Sequence, residues 1–77
     1  MGFQATKNVN VRQKNIGLRI KALMVLRKIE RDDVANGINM ELSMFDEKIN
    51  GLSEWKLSEC KELCNFFNVE LSYIFLE

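Results

Sequence analysis

From Ile16 onward, apolar residues recur at helical rather than alternating spacing. Ile16, Ile20, Leu23 and Met24, followed by Leu26 or the stem of Arg27 and then Ile29, recur at helical spacing with good helix formers between them, which predicts a first helix over Ile16–Lys28. A second helix starts near Arg31, because Asp32 and Asp33 in its first turn favour the positive end of a helix dipole. Its end is marked twice, by the turn signal Asn36-Gly37 and by Asn39, a residue type that accepts the left-handed conformation; since Ile38 continues the apolar face, the turn is placed at Asn39. A third helix, Glu41–Ile49, carries Leu42, Phe45 and Ile49 and stops at Asn50-Gly51. Leu57, Cys60, Leu63, Cys64 and Phe67 trace one face of a fourth, with Asn68 as its stop, and Leu71–Leu76 makes a last turn. Residues 1–15 are polar and lack a helical period, the brief Val9-Asn10-Val11 alternation being too short for a strand without a partner. They read as a basic, flexible arm ahead of one domain over residues 16–77. The fold class expected is all-α, with five short helices and short connections.

A chain of 77 residues has room for a single core, and the absence of Pro with only 4 Gly favours helices over a turn-rich β fold. No apolar run approaches the ~18 residues of a membrane span and no signal-peptide core is present, so a cytoplasmic protein without a membrane partner is expected. Cys60 and Cys64 lie one helical turn apart on an apolar face and read as core; with no histidine in the chain they cannot complete a four-ligand zinc site. The lack of His also removes the commonest general base, and no nucleophile elbow, phosphate loop or metalloprotease motif is present. A binding protein is therefore expected rather than an enzyme, with no catalytic residue, metal or cofactor.

The 11 basic and 11 acidic residues cancel in sum but not in position. Lys7, Arg12, Lys14, Arg19, Lys21, Arg27 and Lys28 stand in residues 1–29 with no acid among them, whereas residues 30–77 hold every acid against Arg31, Lys48, Lys56 and Lys61. Such asymmetry suits either a basic face for nucleic acid or an internally compensated dipole.

The second helix, its tight turn and the third helix form a unit with Ala35 where two helices would cross, Asn39 and Met40 in the turn, and Phe45 packing inward. In these features the chain resembles the Cro/repressor-like (XRE-type) helix-turn-helix domain of phage and bacterial regulators, without a gap from Ile16 to Gly51. The marks are Ile16-Gly17 with Arg19-Ile20, Val34-Ala35, Phe45, Asn50-Gly51, and Phe67-Asn68-Val69 with Leu71 two residues on. Phe45, Lys48-Ile49-Asn50-Gly51 and the following Trp55 look especially like small phage and prophage regulators of this fold. The resemblance implies a lambda-repressor-like five-helix domain that reads double-stranded operator DNA, with Arg31 at the start of helix 2 and Glu41, Leu42, Ser43, Glu47 and Lys48 on or beside helix 3 at the interface.

The chain also departs from that family. Asn39 stands where Gly is usual, and the positions of an Arg–Glu pair found in many members hold Met24 and Ile49, whose joint apolar character reads as repacking and predicts that they touch. Across residues 30–49 six acids face Arg31 and Lys48 alone, a balance that weakens the counterion-release term behind most DNA affinity, although Glu can accept from cytosine N4. The alternative is a helix-turn-helix module turned to protein binding, such as an antirepressor. Trp55 is read as covering the gap between helices 3 and 4. Leu71, Tyr73, Ile74, Phe75 and Leu76 cannot all face inward from one turn, so a weak homodimer through Tyr73 and Leu76 is expected.

Overall fold

The computed structural model describes residues 2–75, with side chains from residue 13 onward, so Leu76 and the side chains of Lys7 and Arg12 lie outside the described residues. Five helices follow one another: α1 (Gly2–Arg27), α2 (Arg31–Gly37), α3 (Leu42–Ile49), α4 (Leu57–Phe67) and α5 (Leu71–Phe75), with no strand among the described residues. The Cα radius of gyration, 12.4 Å, is near the ~11.5 Å of a close-packed chain this long.

The first helix is longer than its apolar period implied, because the backbone of residues 2–15 is helical too. Gln4, Ala5, Lys7, Arg12, Gln13 and Lys14 are good helix formers and no breaker separates them from Ile16, so extension costs little once the packed segment has paid for nucleation. Periodicity is blind to such a stretch, since it registers burial and not helicity.

Four of the five helices end in the same way. Lys28, Asn39 and Asn68, each at φ 57°, and Gly51, at φ 78°, take the left-handed position just past α1, α2, α4 and α3 respectively. At every one, the left-handed residue donates its N–H to a carbonyl three residues back, and the next residue donates to one five back. The second bonds are Ile29 N to Met24 O (2.9 Å), Met40 N to Ala35 O (2.8 Å), Leu52 N to Glu47 O (2.9 Å) and Val69 N to Cys64 O (3.0 Å). This paired arrangement satisfies carbonyls that a helix end would orphan and turns the chain sharply back on itself. The stops at Asn39, Gly51 and Asn68 were legible as residue types. Lys28 was not, and helix α1 closes at Arg27, one residue short of the expected end, with a β-carbon bearing the left-handed strain.

These reversals gather Ile16, Ile20 and Leu23 of α1, Val34, Ala35 and Ile38, Phe45 and Ile49, Cys60, Leu63, Cys64 and Phe67, and Ile74 into one core. Helix α1 packs most extensively on α3, and the approach is closest at Gly17: a β-carbon there would sit 1.8 Å from the Ile49 carbonyl oxygen. No side chain fits between the two backbones. Of the apolar residues of α5, Ile74 is fully buried and Phe75 half-buried, while Leu71 and Tyr73 remain exposed, as the crowding of that turn required.

Two stability outcomes follow. Gly17→Ala must force α1 and α3 apart, with an expected loss of about 3 kcal/mol and a fall in Tm of well over ~10 °C by circular dichroism; an unchanged Tm would contradict the contact. Lys28→Gly removes the left-handed penalty at an exposed position and should stabilise the fold by about 1 kcal/mol, a gain offset only in part by the added freedom of the unfolded chain.

Candidate nucleic-acid interface

The residues assigned to the interface do not share one environment. Arg31, Glu41, Ser43 and Glu47 are exposed, whereas Leu42 is half-buried against the core and leaves little of its side chain for a partner. Arg31 spans from the first residue of α2 to α3, its Nη1 donating to Asp46 Oδ2 at 2.6 Å. With the two side chains 59% and 32% exposed, this pair stabilises by no more than ~1 kcal/mol, but it matches the cation of this edge with an acid.

Lys48 is the clear correction. Its expected place at a DNA interface is excluded by burial, since the residue is only 4% exposed. The ammonium turns inward, donates to the Glu54 carbonyl at 2.8 Å, and lies 3.0 Å from Glu59 Oε1. It also sits 6.0 Å from the centre of the Trp55 ring. Helical spacing explains this: Lys48 follows Phe45 by three residues and shares its buried face, so the side chain carries its charge to the loop and α4 instead of to solvent.

Glu59 had no role in the sequence reading, and only its position three residues into α4 signals one. It accepts the Lys56 backbone N–H at 2.8 Å as well as the Lys48 ammonium, bridging the start of α4 to the end of α3. Burial pushes its carboxyl pKa up, but the Lys56 and Lys48 hydrogen bonds and the two lysine charges outweigh burial and hold it below the ordinary value of 4.5. Trp55 closes the same region, edge-on to Phe45 at 6.0 Å and to Phe75 at 6.5 Å, so it spans α3 and α5 as well as covering the loop before α4. Cys60 and Cys64 are buried thiols, and burial raises both, Cys60 to about 11, which fits packing and not reactivity.

The basic half is also partly spent on the fold. Arg19 Nη1 donates to the Ile74 carbonyl at 3.1 Å, and Arg27 Nη1 donates to the Phe67 carbonyl at the C-terminus of α4, where a cation also suits the helix dipole. Lys14, Lys21 and Lys28 stay exposed; Lys21 makes one outer bond, to Asn50 Oδ1 at 3.3 Å. Lys21, Lys28 and Arg31 line one cleft of about 550 Å³ at the corner between α1 and α2, with Glu30 the acid among them. A neighbouring cleft of about 280 Å³, lined by Lys21, Met24, Arg31, Phe45, Asp46, Ile49 and Asn50, runs from that corner to α3. Met24 and Ile49, expected to touch, thus border a common space.

No protein family matches the chain, and neither does any curated protein or solved structure. Among the described residues no cluster of His, Cys, Asp and Glu could hold a metal ion, and no helix is long and apolar enough to cross a membrane. Among the described residues the chain is a compact all-helical domain.

The buried pair makes two measurable predictions. Lys48→Ala takes from Glu59 the side-chain cation it bonds, leaving only the Lys56 charge nearby, and should cost about 3 kcal/mol in chemical denaturation, whereas loss of a mere surface lysine would stay within ~0.5 kcal/mol. Because the Glu59 pKa is depressed by folding, its contribution is full above the ordinary carboxyl range and is lost as pH falls below 4.5 through the folded-state value. Wild-type Tm should therefore decline more steeply than that of Glu59→Gln below that pH, and parallel declines would contradict the assignment.

Proposed function

We propose that this chain is a sequence-reading DNA-binding regulator of phage or prophage type, acting in the cytoplasm through a lambda-repressor-like helix-turn-helix made of α2, the turn at Asn39 and α3. One observation carries the reading: Ser43 and Glu47 stand exposed on α3, and three cations, Lys21, Lys28 and Arg31, line a cleft at the adjoining α1–α2 corner. In this arrangement the corner cations hold phosphates and fix the register, Ser43 bonds a base edge, and Glu47 is placed to accept from cytosine N4. Exposed Tyr73, with Leu71 beside it on α5, supports a weak two-fold homodimer that would bring two α3 helices to successive half-sites.

A second reading, protein binding through the same surface, is favoured by charge. With Lys48 buried and Arg31 matched by Asp46, the exposed ionic groups of α3 and its leading turn are Glu41 and Glu47. Fluorescence anisotropy on a labelled generic duplex separates the two. If the three corner cations neutralise phosphates, affinity should fall on the order of 40-fold between 50 and 200 mM salt. Glu47→Gln should strengthen binding to every duplex by ~1 kcal/mol if the carboxylate only repels, or weaken a preferred site by ~1–3 kcal/mol if it reads cytosine. No binding at low salt, before or after that substitution, would transfer the assignment to a protein partner. Tyr73→Glu should abolish self-association in sedimentation, and a chain that is monomeric at high concentration without the change would remove the dimer.

A further inference from the structure

The face of α1 turned away from the core is not a polar face. Leu18, Val25 and Leu26 are 58%, 78% and 72% exposed, and Ala22 between them is exposed as well. Spaced at i, i+4, i+7 and i+8, they form a stripe about 100° wide, the width with which a helix ordinarily meets a core. Here the core is already served by Ile16, Ile20 and Leu23 on the opposite side. Single exposed apolar residues are common on surfaces, but this row is aligned.

Exposed Lys14 and Lys21 run along one flank of the stripe, and exposed Lys28, just past the helix, continues their interval of seven residues. Leu18 and Val25 keep the same interval, which the sequence extends back to Val11 and Lys7. That repeat holds a face against a partner helix over several turns. A second copy of α1 does not fit, because Gly2–Arg27 contains six bases and no acid, so two such faces repel in either orientation. Asn15 falls inside the stripe, and the opposite flank carries Arg19, whose guanidinium bonds the Ile74 carbonyl, with Arg12 seven residues before it in the sequence. The interval of seven residues kept by both the apolar row and the lysines is the register of a second helix, whereas a planar anionic lipid surface sets no such interval.

We propose that the outward face of α1 docks an acidic amphipathic helix of a partner protein, its apolar residues against Leu18, Val25 and Leu26 and its carboxylates against Lys14, Lys21 and Lys28. The apolar row lies on a different helix from Ser43 and Glu47, but Lys21 and Lys28 belong also to the corner proposed to hold phosphates, so the partner helix and a duplex would compete for those two lysines. The test uses the full chain and a fluorescein-labelled designed peptide of about three heptads, with Leu at a and d and Glu at e and g. The control peptide carries Lys in place of every Glu. The acidic peptide should bind in the micromolar range and the basic one should not. The double variant Leu18→Ser, Leu26→Ser, at two exposed positions outside the corner cleft, should weaken binding at least ~10-fold, with Tm and the response to duplex DNA unchanged. Equal binding of both peptides, binding that survives the double variant, or no binding would overturn the proposal. It would equally be overturned if sedimentation showed the double variant abolishing self-association of the chain, or if the variant abolished binding to phosphatidylserine vesicles while the acidic peptide did not bind.

Discussion

Helices α1 and α3 approach so closely at Gly17 that the backbone of one meets the Ile49 carbonyl of the other. The remaining contacts follow from that crossing. It turns Ile16, Ile20 and Leu23 into the space that Phe45 and Ile49 close from the other side, and it leaves Leu18, Lys21 and Val25 facing outward. It also brings Lys14 against the left-handed Gly51, where a β-carbon would lie 2.7 Å from the Lys14 Cγ. The end of α3, the start of its following loop and the middle of α1 therefore form one junction, and the exposed edge of α3 is set by a contact made at its buried end.

The charges available for binding differ from those counted along the chain. Arg19 and Arg27 hold carbonyls of α5 and α4, Arg31 is matched by Asp46, and Lys48 is withdrawn into the pair with Glu59 under Trp55. Of these only Lys48 leaves solvent, but the three arginines are engaged within the fold, which leaves Lys14, Lys21 and Lys28 as an exposed basic series on one side of the molecule and a largely acidic surface around α3. Desolvation explains why Lys48 had to be paired so fully: an ammonium this buried is tolerated only when carboxylate and carbonyl oxygens replace its water. Any partner of α3 meets shape and carboxylates first, and cations only at the corner with α1.

Much of the fold was legible because its signals are local. Phe45 and Ile49 declared the inner face of α3 by spacing, and Asn39, Gly51 and Asn68 declared their stops by residue type, since each accepts the left-handed conformation at low cost. Lys28 takes the same conformation against its propensity, so nothing in its identity announced the turn. The helical backbone of residues 2–15 escaped notice because a polar helix has no apolar period to read. At the candidate interface, Ser43, Glu41, Glu47 and Arg31 emerged exposed, whereas Lys48 did not. Its three-residue offset from Phe45 implied an inward direction, but the partner that makes burial possible, Glu59, lies on another helix and is brought there only by the turn at Gly51 and the loop around Trp55.

The most direct measurement of the central claim is a residue-resolved map of where a duplex touches the protein, by amide chemical-shift perturbation in 15N-labelled chain titrated with DNA at low salt. If α3 docks on DNA as proposed, perturbations concentrate at Ser43, Glu47 and Arg31, with Lys21 and Lys28 at the edge, and none fall along the α4 face that carries Cys60 and Cys64. Perturbations that spare α3, or a spectrum that DNA leaves unchanged, would contradict that docking.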